Sequence, residues 1–359
     1  MQMNVTRTQT NSKRRRSQQC TALAVLLLML LAPASASAHG PLNPVASDYV
    51  ATIGRVPASL QAKVVDGDLR MWLQSPPDLT VVLLDYNGAP YLRFSSQGVQ
   101  ANSNSSMYYL NQTPPSIPPT NLTRRTPVHW ELVTSGHQYE WHDGRLHALA
   151  AIAVTPSTRY VGRWQIPLVI NGRLTSMSGS VFHRSAPSLL WFWPIIVLIA
   201  CVLAGWRLRD PELDRRLANV LGVVALVAVA IVSIGRGLHG RPTVSVFQLI
   251  ELTVALSFTS AAVVRVLRGQ ARYFLLLMVA VVALYEGILT VPTLTHGYVL
   301  LAVPAFLGRT ACALCLGTVP CLLLMVLRLF DAEDRREREE RRAAGQPAGE
   351  ELGQVVESG

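Results

Sequence analysis

The chain has 359 residues, half of them hydrophobic, and carries 32 basic against 22 acidic side chains, for a net charge of +10. This composition is too apolar for one water-soluble domain and too mixed for a bundle made only of membrane helices. All but two of the basic side chains are arginines. Many of them lie in the leader or beside apolar segments, so the charge indicates membrane topology and argues against a nucleic-acid partner.

The first 38 residues have the order of a secretory signal peptide. Three arginines at 14–16 precede an apolar run at 20–32, which is followed by Pro33 and by small side chains up to Ala38. The run is too short to cross a bilayer comfortably. The sequence therefore predicts cleavage after Ala38, with an uncleaved anchor as the alternative. Cleavage would make His39 the first residue, whose amine and imidazole together form a good chelate for Cu(II).

Residues 39–186 are predicted to form an exported all-β domain. Short β-type runs alternate there with Gly, Pro, Asn and Ser, and hairpins are predicted around Asp66-Gly67 and Asn87-Gly88. Further strands are expected near 128–133, 147–154, 159–170 and 174–183. Many short strands without a helical period predict a two-sheet antiparallel sandwich. The range contains no cysteine, so this fold has to form without a disulfide.

Four side chains within 137–147 are candidate metal ligands: His137, His142, Asp143 and His147. If Asp143-Gly144 is the turn of a hairpin, the imidazoles on its two arms could converge on a metal ion. The alternative is a set of exposed turn histidines.

The last predicted strand pair resembles the terminal strands of the CopC copper-resistance domain. The similarity is carried by about 30 residues: Thr155-Pro-Ser-Thr-Arg-Tyr160-Val-Gly-Arg-Trp164-Gln-Ile, then Asn171-Gly172-Arg173, then Ser178-Gly179-Ser180-Val181-Phe182. The resemblance implies an immunoglobulin-like Greek-key sandwich outside a bacterial membrane, a mature chain that begins with His, and Cu(II) binding. Where the family has its Asp and His ligands, this chain has Asn171 and Arg173, and arginine stays protonated and cannot ligate a metal.

Residues 187–330 are predicted to form a bundle of about five transmembrane helices. The apolar stretches lie near 188–206, 217–235, 244–264, 273–292 and 298–329, and each is long enough to cross a hydrocarbon core of ~30 Å. The last stretch is long, and Pro304 and Arg309 are candidate positions for a break.

Arginines follow the first and the third of these stretches, which places those two loops in the cytoplasm. Residues 39–186 are then extracytoplasmic, as a cleaved signal also requires, and the charged tail at 331–359 is cytoplasmic. The predicted location is the plasma membrane, crossed several times, with the lipid bilayer as a partner.

Ionisable side chains inside predicted spans are costly in hydrocarbon and usually face a partner or water. Glu251 lies seven residues after the outer start of its stretch, and Glu286 lies seven residues before Thr293 at the outer end of the next, so both are at a depth of roughly 10 Å on the same side. His239, His296 and Arg309 lie near the same surface. These five predict an outward-facing pocket for a cation or a relayed proton. The alternative is a buried Glu–Arg arrangement that holds the bundle together.

Cys312 and Cys315 are three residues apart on one predicted helix and therefore share a face. Two thiols so placed could hold Cu(I) or form a redox pair. Ordinary packing of small, polarizable side chains is the alternative.

Together these patterns predict a membrane-anchored extracytoplasmic protein that binds or handles copper. The competing prediction is a tethered interaction or structural module without a metal site, which binds a protein or another component of the cell envelope. No enzyme is predicted, because the sequence has no Gly-x-Ser-x-Gly elbow, phosphate-binding glycine loop or His-Glu-x-x-His pair.

Overall fold

The computed structural model describes residues 44–112, 115–147, 159–205, 210–240, 244–269 and 273–343. A sheet region, residues 44–186, is followed by a helical region, residues 187–343, as the sequence predicts. The leader, His39, most of the strand expected near 147–154 and the end of the charged tail lie outside the described residues.

The sheet region consists of short antiparallel strands. Their bounds are β1 Ala46–Ser47, β2 Tyr49–Arg55, β3 Gln61–Val65, β4 Arg70–Gln74, β5 Val81–Leu84, β6 Pro90–Ser95, β7 Gly98–Asn102, β8 Trp130–Thr134, β9 Gln138–His142, β10 Tyr160–Ile170 and β11 Arg173–His183; helix α1 is Ser106–Leu110. One sheet has the order β2-β11-β10-β5-β6-β7-β8 and the other β3-β4-β9. The predicted hairpins β3–β4 and β5–β6 are confirmed.

Two sharp turns depend on left-handed backbone conformations. Asp66 and Gly67, between β3 and β4, have φ angles of 57° and 77°, and Asn171 and Gly172, between β10 and β11, have φ angles of 45° and 80°. Asp, Asn and Gly are the residues that adopt this conformation most readily. The geometry of the turns is therefore the first reason for Asp at position 66 and Asn at position 171.

The two sheets share one hydrophobic core. Leu83 and Ile166 of the larger sheet and Met71 and Leu73 of the smaller sheet belong to it, and none of the four has exposed surface. Burying one such side chain contributes about 1.5–3 kcal/mol. This shared core makes the sheet region a two-layer structure without a disulfide.

Trp164 and Gly179 form a close pair across β10 and β11. A Cβ atom at position 179 would lie 2.6 Å from the Trp164 ring and 1.9 Å from the carbonyl oxygen of Thr52. The Trp164 indole can therefore cross the strand and donate to that oxygen, at 3.1 Å. Glycine at 179 is required by packing.

The helical region begins with a turn of 3-10 helix, Leu189–Phe192. It continues with α2 Trp193–Gly205, α3 Pro211–Gly237, α4 Val246–Leu267, α5 Tyr273–Thr290, α6 Pro292–Thr295, strand β12 Tyr298–Val299 and α7 Ala305–Ala343. Among the described residues, α3, α4, α5 and α7 are long and apolar enough to cross a membrane, whereas the first predicted stretch forms a shorter apolar helix, Leu189–Gly205. These four helices are consistent with a membrane protein.

The predicted fifth stretch, 298–329, is divided at Pro304. Strand β12 and a loop precede the proline, and α7 then runs without interruption past Pro320 to Ala343. Arg309 lies inside this helix, so the chain breaks before Arg309 and not at it. The first half of the charged tail continues the same helix.

The sheet region is attached to the helical region by a pair of short strands. Strand β1 pairs with β12, with Ala46 opposite Val299, and the backbone N–H of Leu300 donates to the carbonyl of Val45 at 2.8 Å. Gly297 lies close to the segment after β11 that leads into the helical region. A Cβ atom at position 297 would lie 2.2 Å from the carbonyl oxygen of Arg184 in that segment.

Replacing Gly297 with Ala is expected to destabilise the protein by about 1–3 kcal/mol, because the new methyl group overlaps backbone that has little room to move. Gly162→Ala is the matched control, since a Cβ atom at 162 meets no atom within 4 Å. Thermal unfolding of the full chain in detergent measures both. Equal melting temperatures for the two variants would contradict the close docking.

Candidate functional site

The end of α3 brings two carboxylates of the helical region onto one guanidinium. Arg236 donates from Nη1 to Glu286 at 2.8 Å and from Nη2 to Glu251 at 3.0 Å, and the Ser233 hydroxyl donates to Glu286 at 3.1 Å. The side chains of Arg236 and Glu286 are 13% and 5% exposed, while that of Glu251 is 36% exposed. We call Ser233, Arg236, Glu251 and Glu286 the Arg236 cluster.

Local sequence explains how the three helices approach. Ser245 and Gln248 form a capping box that starts α4 at Val246. Gly237 on α3 leaves room for Leu252 of α4, because a Cβ atom there would lie 2.8 Å from the leucine. The Arg236 cluster lines a small, narrow pocket together with Gln248 and Leu252.

His239, three residues after Arg236, reaches the sheet region. Its Nε2 lies 2.7 Å from Oδ1 of Asp66, whose side chain is 1% exposed. Asp66 also pairs with Arg70, and Arg70 pairs with Glu140 of β9. Burial acts to raise the pKa of Asp66, but the hydrogen bond to His239 and the charge of Arg70 outweigh burial, so the pKa lies below its ordinary value.

Arg309 and His296 lie apart from the Arg236 cluster. The Arg309 guanidinium donates to the backbone carbonyls of Thr293 at 2.9 Å and Gly297 at 3.0 Å, and it lies over the Trp191 ring. His296 is 3.9 Å from Asp48 and is 42% exposed. Both residues therefore support the junction below the sheet region. The structure brings Glu251 and Glu286 together and places His239 nearby.

Arg236 is the partner that the sequence reasoning missed. It lies just past the predicted apolar stretch at 217–235, yet it occupies the last turn of α3. Its spacing from Ser233 and His239, three residues on either side, was the available signal, because such positions share one helix face.

Of the four ligand candidates in the sheet region, the structure brings His142 and His147 into contact. Their ring centroids are 4.7 Å apart at an interplanar angle of 84°. The Nε2 atom of His147 is buried and has no hydrogen-bond partner among the described residues. His142 ends β9, and a single turn of 3-10 helix, Gly144–Leu146, carries the chain to His147.

His137 and Asp143 are placed differently. His137 precedes β9 and so lies about 16 Å along the strand from His142. Asp143 has no exposed surface; it accepts from the Trp141 indole at 3.0 Å and pairs with Arg145 at 2.7 Å. Its carboxylate thus holds the turn together. Within the described part of the chain, no group of three or more His, Cys, Asp or Glu side chains is arranged to hold a metal ion.

Cys312 and Cys315 are both buried against α5. The Cys312 thiol lies 3.6 Å from the carbonyl oxygen of Gly287, and a Cβ atom on Gly287 would be 3.3 Å from Cβ of Cys315. Glycine at 287 thus allows α5 and α7 to pack closely at these thiols.

The β10–β11 turn holds Asn171 and leads into Arg173, the two positions at which the sequence resemblance implies ligands. The side-chain oxygen of Asn171 accepts from the backbone N–H of Thr80 at 3.0 Å, which ties the turn to the start of β5. Arg173 is exposed at the beginning of β11. Asn171 therefore has a structural contact of its own.

Comparison of the chain with models of protein families, with curated proteins and with solved structures found no match. The function is accordingly argued from the residues and their geometry.

Arg236→Ala is expected to destabilise the protein by about 3–5 kcal/mol, because it leaves Glu286 buried with its charge uncompensated. Arg216→Ala is the matched control on the same helix: Arg216 also pairs with a glutamate, at 2.7 Å, but both side chains are about three-quarters exposed. That change should cost at most about 1 kcal/mol. Denaturant unfolding in detergent measures the free energy of unfolding of both variants. A similar decrease in the two would show that the Arg236 cluster stabilises the protein no more than an exposed ion pair does.

Proposed function

We propose that the protein is a membrane-anchored, extracytoplasmic copper-handling protein, and that the sheet region binds Cu(II) at its end next to the helical region. The observation that carries the proposal is the contact between His142 and His147, with the buried Nε2 of His147 lacking a hydrogen-bond partner among the described residues. Imidazole nitrogens are preferred ligands of Cu(II).

The two imidazoles lie near the place where the chain enters the sheet region. The backbone N–H of Asp143 donates to Leu69 at 3.2 Å, and Gly67, two residues before Leu69, packs against Ser47. Residues 39 and 47 are eight positions apart, a length of chain that spans at most about 28 Å. The amine and imidazole of His39, if cleavage exposes them, are therefore within covalent reach of His142.

The family's usual ligand positions lie at the opposite end of the sheet region. Tyr49 pairs with His183 at one end of β11, and Arg173 begins the other end, ten residues or roughly 33 Å away. A Cu(II) site that includes His39 is therefore favoured at His142 and His147 over the β10–β11 turn. The proposal keeps the immunoglobulin-like Greek-key class that the resemblance implies, with the ligands relocated to the opposite end.

The proposed orientation has residues 39–186 outside the membrane and the C-terminus in the cytoplasm. It is supported by the arginines that follow the first and third apolar stretches. The start of α7 lies beside β12, where the sheet region is attached, and the charged segment at 333–342 lies at its other end. If α7 crosses the bilayer, the sheet region and the charged segment are on opposite sides.

A second candidate is a tethered interaction module without a metal site. It is favoured by Asn171 and Arg173, because an amide that holds a turn and a cation that cannot ligate a metal occupy the family's ligand positions. On this reading the sheet region binds another component of the cell envelope.

Titration of Cu(II) into the full chain, purified in detergent with its natural N-terminus, tests the proposal. We expect His142→Ala and His147→Ala each to weaken binding at least about tenfold, the effect of losing roughly 1.4 kcal/mol. His137→Ala is the matched control and should bind as the parent does. One residue added ahead of His39 should also weaken binding.

The melting temperature of each variant, measured without copper, separates loss of a ligand from loss of the fold. Unchanged affinity in the His142 and His147 variants would remove the site from this end of the sheet region. Absence of Cu(II) binding by the parent protein would overturn the copper function and leave the interaction module.

A further inference from the structure

The last turn of α3 and the two residues after it contact both the sheet region and the bundle. Arg236 contacts Glu251 and Glu286 of the bundle, and His239 contacts Asp66 of the β3–β4 turn. The backbone N–H of His239 donates to the carbonyl of Arg236 at 3.2 Å, which keeps the two residues in one turn. We call residues 233–239 the α3 latch.

We propose that the α3 latch is a coupling element that transmits a rearrangement of the β3–β4 turn to the Glu251–Glu286 pair. Coupling between two sites needs a physically continuous element that both sites bias. The latch meets this requirement, because a single helical turn carries one side chain for each site.

On the sheet side, the contacts lead from the latch toward the proposed copper ligands. Asp66 pairs with Arg70, and Arg70 lies directly opposite His142 in the pairing of β4 with β9. Arg70 also pairs with Glu140 on the same strand as His142. A shift of β9 would therefore move Arg70, which contacts the same Asp66 carboxylate as His239.

Between these two sides, close packing leaves the backbone of the α3 latch little room to move. Gly237 packs against Leu252, as described above, and a Cβ atom on Gly235 would lie 3.1 Å from Val303 and 3.2 Å from Leu301. The backbone N–H of Ala302 donates to the carbonyl of Gly235 at 2.9 Å. A movement of the latch must therefore move the start of α4 or the loop before α7.

On the bundle side, the guanidinium is shared and its two partners are unequally placed. Glu286 is enclosed and receives a second hydrogen bond from Ser233, whereas Glu251 is about one-third exposed. A displacement of Arg236 should therefore release Glu251 first, because that carboxylate can be solvated.

We do not assign a role as a pH sensor to the α3 latch. Charged groups near the His239–Asp66 contact include Arg70, which pairs with Asp66 and with Glu140, and Asp68 of the same turn. On the helical side, Arg236 lies three residues before His239 and pairs with Glu251 and Glu286. The pKa of Asp66 lies below its ordinary value of 3.8. Its contribution to stability is therefore complete above that pH and is lost only as the pH falls through the lower value in the folded protein.

Hydrogen exchange of the full chain in detergent, read by mass spectrometry at neutral pH, tests the coupling. Asp66→Gly removes the carboxylate and keeps a residue suited to φ of 57°. We expect exchange to rise several-fold at 233–238 and in the first turns of α4, although no residue of the bundle has been changed. Asp78→Gly, at an exposed position of the sheet region, is the matched control.

A second variant keeps the test decisive if the first disturbs the sheet region. His239→Gln should loosen the β3–β4 turn from the opposite side, while β5 and β10 stay protected. Changes confined to the sheet region in Asp66→Gly, and to the helical region in His239→Gln, would overturn the coupling.

The link from copper to the latch rests on the proposed function, and the link from Asp66 to the bundle does not. Added Cu(II) should alter exchange at 233–238 in the parent protein and lose that effect in Asp66→Gly. If the variants show coupling and Cu(II) has no effect, the latch stands and its copper trigger fails. If Cu(II) binds and Asp66→Gly leaves the bundle unchanged, the copper function stands and the latch fails.

Discussion

One buried guanidinium joins the charges of the bundle beside the contact to the sheet region. Arg236 compensates Glu286, which is almost completely enclosed, and also holds Glu251 from the neighbouring helix. An ion in such a place is tolerated when partners and hydrogen bonds replace the lost water. The same turn presents His239 to Asp66, so the arrangement that satisfies the bundle's charges also fixes a contact to the sheets.

A second attachment reinforces the first. The β1–β12 pair and the close approach of Gly297 to Arg184 fix the entry of the chain and the linker at the same junction. Arg309 supports this junction from below by binding backbone carbonyls. The predicted five-residue pocket is thus divided into two sets with different tasks. Glu251, Glu286 and His239 surround the latch, and Arg309 and His296 lie at the junction.

Elements with strong local signals could be predicted from the sequence. The Asp66-Gly67 and Asn87-Gly88 turns correctly predicted two hairpins, and the apolar stretches after 210 correctly predicted the long helices. Both signals are local, because they depend on turn chemistry and on the length of a hydrophobic run. Partner choice is a tertiary property and was harder to predict. Counting depth indicated that Glu251 and Glu286 are level, but it could not show that a loop-side arginine lies between them. Likewise, spacing grouped His137 with His142, whereas β9 separates them by its whole length.

We propose that the copper ligands lie at the end of the sheet region next to the helices. The most direct measurement is the distance between bound Cu(II) and a nitroxide at position 173, obtained by pulsed electron paramagnetic resonance on the full chain. Arg173→Cys would carry the label after exposed Cys201 is replaced by Ser. We expect the copper ion and the nitroxide to be roughly 30 Å apart, from the length of β11. A separation below about 15 Å would place the metal at the β10–β11 turn and contradict the account.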